Sequence, residues 1–376
     1  MPAWTPELLQ AMRHTGDERA DEALRTATAV HGDVARISQV FRSFAADEAE
    51  LPADAPAELR DFVQDTRELP ASLDPQRARR GAQVMLDHAT LVALALLLKS
   101  LPSGYAAPRL ATILHFTGNL EQRPYRRALG VLQMLVNLSQ PDSFAPGGRA
   151  LVTGQKLRLL HAGIRRLVRR HVPDFEARFG TPVSQLDMVY TTMTFSVKVI
   201  DGLATLGVPL TAQQQDDYFH LWHSYGLLQG IRPEWMPADV SEGRELCQAY
   251  DAELSEAATN PAGVALTAAD LAMMRQLMPA PLRWLGLGSA PQVYLVALLG
   301  PGDAARVGVA PAHPLLEHLV LKLPRAWQRL WNSTLPDHQV HADWSRRFFS
   351  VLIDRAWGGE VRFSVPEHLR DLRRLA

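Results

Sequence analysis

"TGQKLRLLHAGIRRLVRRH", residues 153–171, decides the fold class. Its apolar residues (Leu157, Leu160, Ile164, Leu167, Val168) return at spacings of three and four with arginines between them, the period of an amphipathic helix. The same period runs through almost the whole chain, interrupted by proline, glycine or Ser/Thr/Asp start signals, while strand alternation is nearly absent. The chain therefore reads as all-α. Helices are expected over 5–13, 17–30, 32–45, 56–65, 75–100, 106–116, 123–139, 149–171, 184–206, 211–229, 238–258, 267–278, 289–299, 312–333 and 339–355. The long helices from 75 to 258 form an unbroken block, and the ends are shorter and richer in Pro, Ala and Asp. This pattern predicts one large helical domain: an N-terminal helical wrap (1–70), a core (71–260) and a C-terminal extension packed on it (261–376).

Composition bounds the function classes. With 376 residues, 47% of them hydrophobic, the chain can bury a sizeable core. The 39 basic and 40 acidic residues nearly cancel, so there is no global field to recruit nucleic acid, and any basic site must be local. A single cysteine, Cys247, allows neither an internal disulfide nor a thiolate metal cluster and reads as a small buried hydrophobe. The N-terminal residues show no basic segment followed by an apolar run, so a cytoplasmic location is expected. The most apolar run, LVALALLL at 91–98, is far shorter than the ~20 residues that span a bilayer and reads as a buried helix segment. No transmembrane segment is expected, and peripheral membrane contact stays open.

His161 lies at the edge of the apolar stripe of the 153–171 helix. At ~100° per residue, Leu157, Ile164 and Val168 fall on one side of it, and Arg158 and Arg165 on the other. One flank suits the flat apolar face of a macrocycle and the other suits its carboxylates, since imidazole ligates haem iron and guanidinium pairs with carboxylate. A core histidine bonded to a backbone carbonyl fits the same position. Periodicity alone leaves both roles open.

Three stretches read together carry a resemblance: LALLLKSLPSGYAAPRLATILHFTGNLEQRPYRR (94–127), FAPGGRALVTGQKLRLLHAGIRRL (144–167) and GTPVSQLDMVYTTMTFSVKVIDGLATLGVPLTAQQQDDYFHLWHSYGLLQGIRPEWMP (180–237). In this order they resemble the catalytic domain of latex-clearing proteins and MpaB-type oxygenases. The resemblance implies a helical fold with a globin-like core, a haem b cofactor, dioxygen as co-substrate and a hydrophobic or prenyl-chain substrate. It also implies that His161, in the LLHA motif, is the proximal iron ligand, with the 71–260 core as the haem-binding part.

Rubber-cleaving members carry an arginine followed three and four positions later by lysine and threonine, with an upstream glutamate that assists oxygen chemistry. Here Arg127 is kept, Gly130 and Val131 replace the lysine and threonine, and Ala111 stands roughly where the glutamate is expected. Rubber cleavage is therefore not expected. Arg127, with Gly130 leaving room one turn later, and His115 are the candidate groups near the oxygen. Arg158, Arg165 and Lys198 are the candidate partners for haem carboxylates.

Two readings without haem are also open. Asp217, His220 and His223 recur every three residues, as ligands of a non-haem metal site do, and His338 and His341 repeat the ambiguity near the end. Alternatively, the arginine-rich helix belongs to a non-catalytic binding module that meets an acidic partner.

Overall fold

The computed structural model describes residues 4–31, 55–117, 124–254, 260–278, 283–284, 287–312, 314–334, 343–345 and 347, and no strand occurs among them. The expected helix at 32–45 lies outside the described residues, as does nearly all of the one at 339–355. Local capping sets the helix phases. Thr5 caps α1 (Pro6–Arg13), and α2 (Glu18–His31) and α3 (Ala57–Asp65) follow. Asp74 caps α4 (Pro75–Asp87) by accepting from the Gln76 and Arg77 N–H groups, with Pro75 preset for the first turn. Next come α5 (Ala89–Ala106), α6 (Pro108–Phe116), α7 (Pro124–Leu138), α8 (Arg149–His171) and α9 (Phe175–Phe179). Reciprocal capping boxes, Ser184 with Asp187 and Thr211 with Gln214, start α10 (Gln185–Phe195) and, beyond α11 (Val197–Thr205), α12 (Ala212–Leu228). The chain continues through α13 (Val240–Leu254), α14 (Pro261–Leu277), α15 (Ala290–Leu299), α16 (Pro301–Arg306), α17 (Pro314–Val320) and α18 (Leu323–Thr334).

Three expected helices are divided, each for a physical reason. The 75–100 helix breaks at His88, and its second half runs on to Ala106 through a π turn at Leu96–Ser100. That turn sits immediately before Pro102, whose ring lacks an N–H and crowds the preceding turn, so widening the helix there accommodates it. The resulting α5 is long and apolar enough to cross a membrane, but 67% of it is buried inside the protein. The 184–206 helix breaks at Ser196, where the carbonyls of Thr194 and Phe195 accept from Ser100 Oγ at 2.5 Å and Tyr218 Oη at 3.1 Å. Donors from other helices thus satisfy the groups freed by the break. The 312–333 helix divides at residues 321–322, just ahead of Pro324.

One apolar core runs from Leu9 to Val309 and includes residues from both sides of position 260, among them Leu98, Tyr225, Leu266 and Leu295. The most extensive helix pair among the described residues is α4 on α12. Gly81 permits it, since a Cβ there would stand 2.3 Å from the Asp217 carbonyl oxygen. The N-terminal helices clasp the core: Thr181 and Gln185 N–H groups donate to the Arg13 and Thr15 carbonyls, and α2 with α3 packs on α8 through Ala20, Leu24, Leu59, Phe62, Leu159 and Ala162.

Candidate functional site

α8 presents two chemically different faces. On one, Arg158 donates to Asp17 at 2.7 and 3.0 Å, Arg165 donates to both oxygens of Asp21 (2.7 and 2.9 Å) and to the Val183 carbonyl, and Gln155 donates to the Val63 carbonyl. These contacts strap the helix to the N-terminal segment. On the other face, Leu157, Leu160, His161 and Ile164 are only half-buried, although most of the helix between Arg149 and Val168 is buried. The four fall within an arc of about 100°, so they form one stripe.

A matching stripe lies on α7. Gly130, Val131 and Met134 are half-buried, and a Cβ on Gly130 would meet no atom of the described residues within 4 Å. A polar chain closes the α7–α8 pair near the connecting loop: Gln133 donates to Asn137, which donates to Thr153, each at 3.1 Å. Gly130 lies seven residues before Asn137 and His161 eight after Thr153, rises of ~10.5 and ~12 Å along the two helices. Gly130 and His161 are therefore at similar heights on adjoining helices. Leu114 of α6, Val131, Met134 and Leu157 all rest half-buried against the main core. Ile113 of α6 packs with Val168 and Ile164 beside it. His161 turns its Nδ1 into the protein.

Several residues singled out in the sequence lie elsewhere or are otherwise engaged. Arg158 and Arg165 are turned to the N-terminal segment: their guanidiniums are held by Asp17 and Asp21, and Arg165 is fully buried. Lys198 is paired with Asp251 at 2.9 Å and donates to Tyr190 Oη at 2.9 Å, on a helix that packs against α5, α10, α13 and α15. His115 is exposed, because the buried face of α6 is formed by Arg109, Ala111 and Ile113. Arg127 belongs to α7 by its backbone, but its side chain lies outside the described residues, as do His338 and His341.

Two members of the suspected metal triad are committed to other work. Asp217 is held by Arg80 at 2.7 and 3.0 Å and receives a bond from Gln213, while His220 Nε2 accepts the Asp74 N–H at 2.9 Å. Among the described residues no group of three or more His, Cys, Asp or Glu is arranged to hold a metal ion. The arginine-rich helix has in turn found acidic partners within its own chain: Asp17, Asp21 and, for Arg169, Glu176. Three of the five arginines in 153–171 are thus engaged within the chain, while Arg166 and Arg170 are exposed.

A buried polar network went unread in the sequence. Arg109 pairs with Asp187 at 2.7 Å and donates to Tyr250 Oη, Tyr250 stacks on Tyr190 at 3.7 Å, and Tyr190 donates to Asp251. Burial and then the like charge of Lys198 depress the pKa of Lys99, whose ammonium donates to the Leu298 carbonyl. Burial raises the Cys247 thiol to about 12, which keeps it protonated and inert, as its composition-based reading expected. Spacing alone does not mark this network, because each pair joins helices far apart in sequence.

Residues 82–336 match the family described as ER-bound oxygenase mpaB/B'/Rubber oxygenase, catalytic domain. A rubber oxygenase of Streptomyces sp. (strain K30) is 25% identical over 290 residues, covering 73% of this chain and 70% of that protein. The solved structure of latex clearing protein LCP in the closed state shares the fold with a TM-score of 0.73 at 23% identity, covering 94% of this chain and 95% of that one. A catalytic-domain match over more than half of the chain, on an all-α frame, places the protein in a class of enzymes: it belongs to the mpaB/B'/rubber oxygenase family of oxygenases.

Proposed function

We propose that the protein is a haem b-dependent oxygenase, with His161 as the proximal iron ligand and a long-chain apolar molecule of isoprenoid type as the substrate oxidised by dioxygen. The observation that carries this reading is the juxtaposition of the half-buried His161 stripe on α8 with the open space beside Gly130 on α7. The donor set fits the group. A neutral imidazole ligates haem iron strongly, so His161 would hold the group through its ring. A flat apolar macrocycle suits the half-buried apolar side chains of Leu114, Val131, Met134, Leu157 and Ile164.

Haem, when bound, supplies the activation of dioxygen; the chain positions and encloses it. Leu114, Val131 and Met134 exclude water and offer apolar contact to a hydrocarbon chain, and Gly130 leaves the volume that a side chain would otherwise take. Arg127, the arginine kept from the pattern of rubber-cleaving members, is the candidate cation for stabilising developing negative charge on the oxygen. Polyisoprene is not the proposed substrate, because residues 111, 130 and 131 are Ala, Gly and Val and carry no carboxylate, amine or hydroxyl.

The experiment is the absorption spectrum of the purified protein and of His161→Ala. The wild type should show a Soret band with stoichiometric iron, and the folded variant should lose both. Full haem occupancy with an unchanged spectrum in the variant would refute the ligand assignment.

A further inference from the structure

Arginine supplies almost all of the positive charge of this protein: of 39 basic residues only four are lysines, Lys99, Lys156, Lys198 and Lys322. Arginine also makes the interior pairs to Asp187 and Asp21, through the buried guanidiniums of Arg109 and Arg165. Two of the four lysines nevertheless meet at one helix junction.

Lys99 lies half-buried in the π turn of α5, and its ammonium donates to the Leu298 carbonyl in the last turn of α15. Its stem passes over Gly202 of α11, where a Cβ would stand 3.4 Å from Lys99 Cδ, 3.1 Å from Ala95 Cβ and 3.6 Å from Leu298 Cδ2. Lys198 stands four residues before Gly202, on the same face of α11, which makes it a neighbour of the Lys99 side chain. Asp251 and Tyr190, each at 2.9 Å, fix the Lys198 ammonium there. Burial first, and then this fixed like charge, lower the Lys99 pKa. Desolvation and an adjacent cation are the two devices that free a lysine amine for nucleophilic attack, and a guanidinium cannot take that role.

The charges around the junction decide which carbonyl compound fits. Arg244 holds Asp201 at 2.7 Å, Arg306 holds Asp303 at 2.6 Å and Lys198 holds Asp251. Each of these carboxylates has its own cation, so none of the three cations is left to grip a substrate carboxylate. Burial keeps the Cys247 thiol protonated, and Ala95, Gly202 and Leu298 offer an uncharged surface. We propose that Lys99 is the nucleophile of a carbonyl-binding site at the α5–α11–α15 junction, which captures uncharged aliphatic aldehydes as imines. The Lys99 nitrogen bonds to the carbonyl carbon, both amine protons pass to the carbonyl oxygen, the oxygen leaves as water, and a C=N bond remains. The capture consumes no oxidant or reductant, and it does not depend on the haem assignment.

The test treats the full chain with hexanal and sodium cyanoborohydride, which fixes an imine as a secondary amine, and reads the hexyl group on each lysine by peptide mass spectrometry. With only four lysines each is read separately, and the exposed Lys322 is the internal reference. At neutral pH Lys99 should be modified roughly tenfold faster than Lys322, and its rate should reach its plateau at a lower pH. Glyoxylate, an anionic aldehyde, should modify Lys99 more slowly than hexanal does. Lys198→Gln should slow Lys99 several-fold at neutral pH and leave Lys322 unchanged, while the wild-type pH profile tests the same point without any substitution. Modification of Lys99 no faster than Lys322, with coincident pH profiles, would overturn the proposal and leave Lys99 as a cap for the last turn of α15. Faster modification by glyoxylate than by hexanal would overturn the ligand class.

Discussion

Arg158 and Asp17 form a bidentate ion pair, Nε to Oδ2 at 2.7 Å and Nη2 to Oδ1 at 3.0 Å, with both side chains largely buried, and the pair ties the N-terminal segment to the helix that carries His161. The guanidinium also lies 5.2 Å from the Phe62 ring centroid. Removing one partner of a buried pair leaves the other charge without compensation. Arg158→Leu should therefore lower unfolding free energy by roughly 3–5 kcal/mol, read from the urea midpoint at constant slope. The ratio of haem to folded protein should stay unchanged. A stable variant that loses haem faster would instead return Arg158 to the carboxylate role that the sequence suggested.

Gly81→Ala tests the closest helix contact. Alanine is favoured over glycine inside a helix by about 1 kcal/mol, but its Cβ would stand 2.3 Å from the Asp217 carbonyl oxygen, and α4 and α12 must part to admit it. The overlap should win by about 2 kcal/mol or more. A thermal midpoint at or above that of the wild type would show that the two helices pack less tightly.

What was legible in the sequence was what a single helix determines. The period of 153–171 predicts α8 with its correct C-terminal end, the caps at Asp74, Ser184 and Thr211 are readable from residue type, and His161 falls at the edge of a stripe by counting alone. Partners were not legible. Arg158 and Arg165 sit beside His161 on the wheel, and nothing within 153–171 reveals that acids about 140 positions earlier capture them. The break at Ser196 is hidden for the same reason, because the donors that stabilise it come from Ser100 and Tyr218. Gly130 was readable as a gap, but the space around it depends on how α7 meets α8.

His223 gives the protein an acid-side sensitivity. Burial first, then the neighbouring His220 and Arg77, lower its pKa to about 4. Between that value and the ordinary histidine value of about 6.5, the unfolded chain takes up a proton that the native state does not. The unfolded state binds more protons in this window, so stability falls as the pH drops from about 6.5 toward about 4 and levels off from this cause below it. His223→Gln, which cannot titrate, should flatten the urea midpoint across the window. An equally steep profile in the variant would assign the acid sensitivity to other groups.

Gly130 separates stability from function. The residue is inside α7, where glycine costs roughly 0.5–1 kcal/mol relative to alanine, and an alanine Cβ would meet no atom of the described residues within 4 Å. Gly130→Ala should therefore raise unfolding free energy by about that amount, with little change in ligand binding. Gly130→Leu projects a branched side chain into the space that the proposed function reserves for haem and substrate. It should fold at least as stably as wild type in apolar surroundings, yet retain less haem or turn over an apolar substrate more slowly. The discriminating measurement is the pair of values, urea midpoint and haem content, for both variants. Loss of stability in Gly130→Ala would show that the space is filled, whereas full haem content and turnover in Gly130→Leu would place the functional volume away from the α7–α8 cleft.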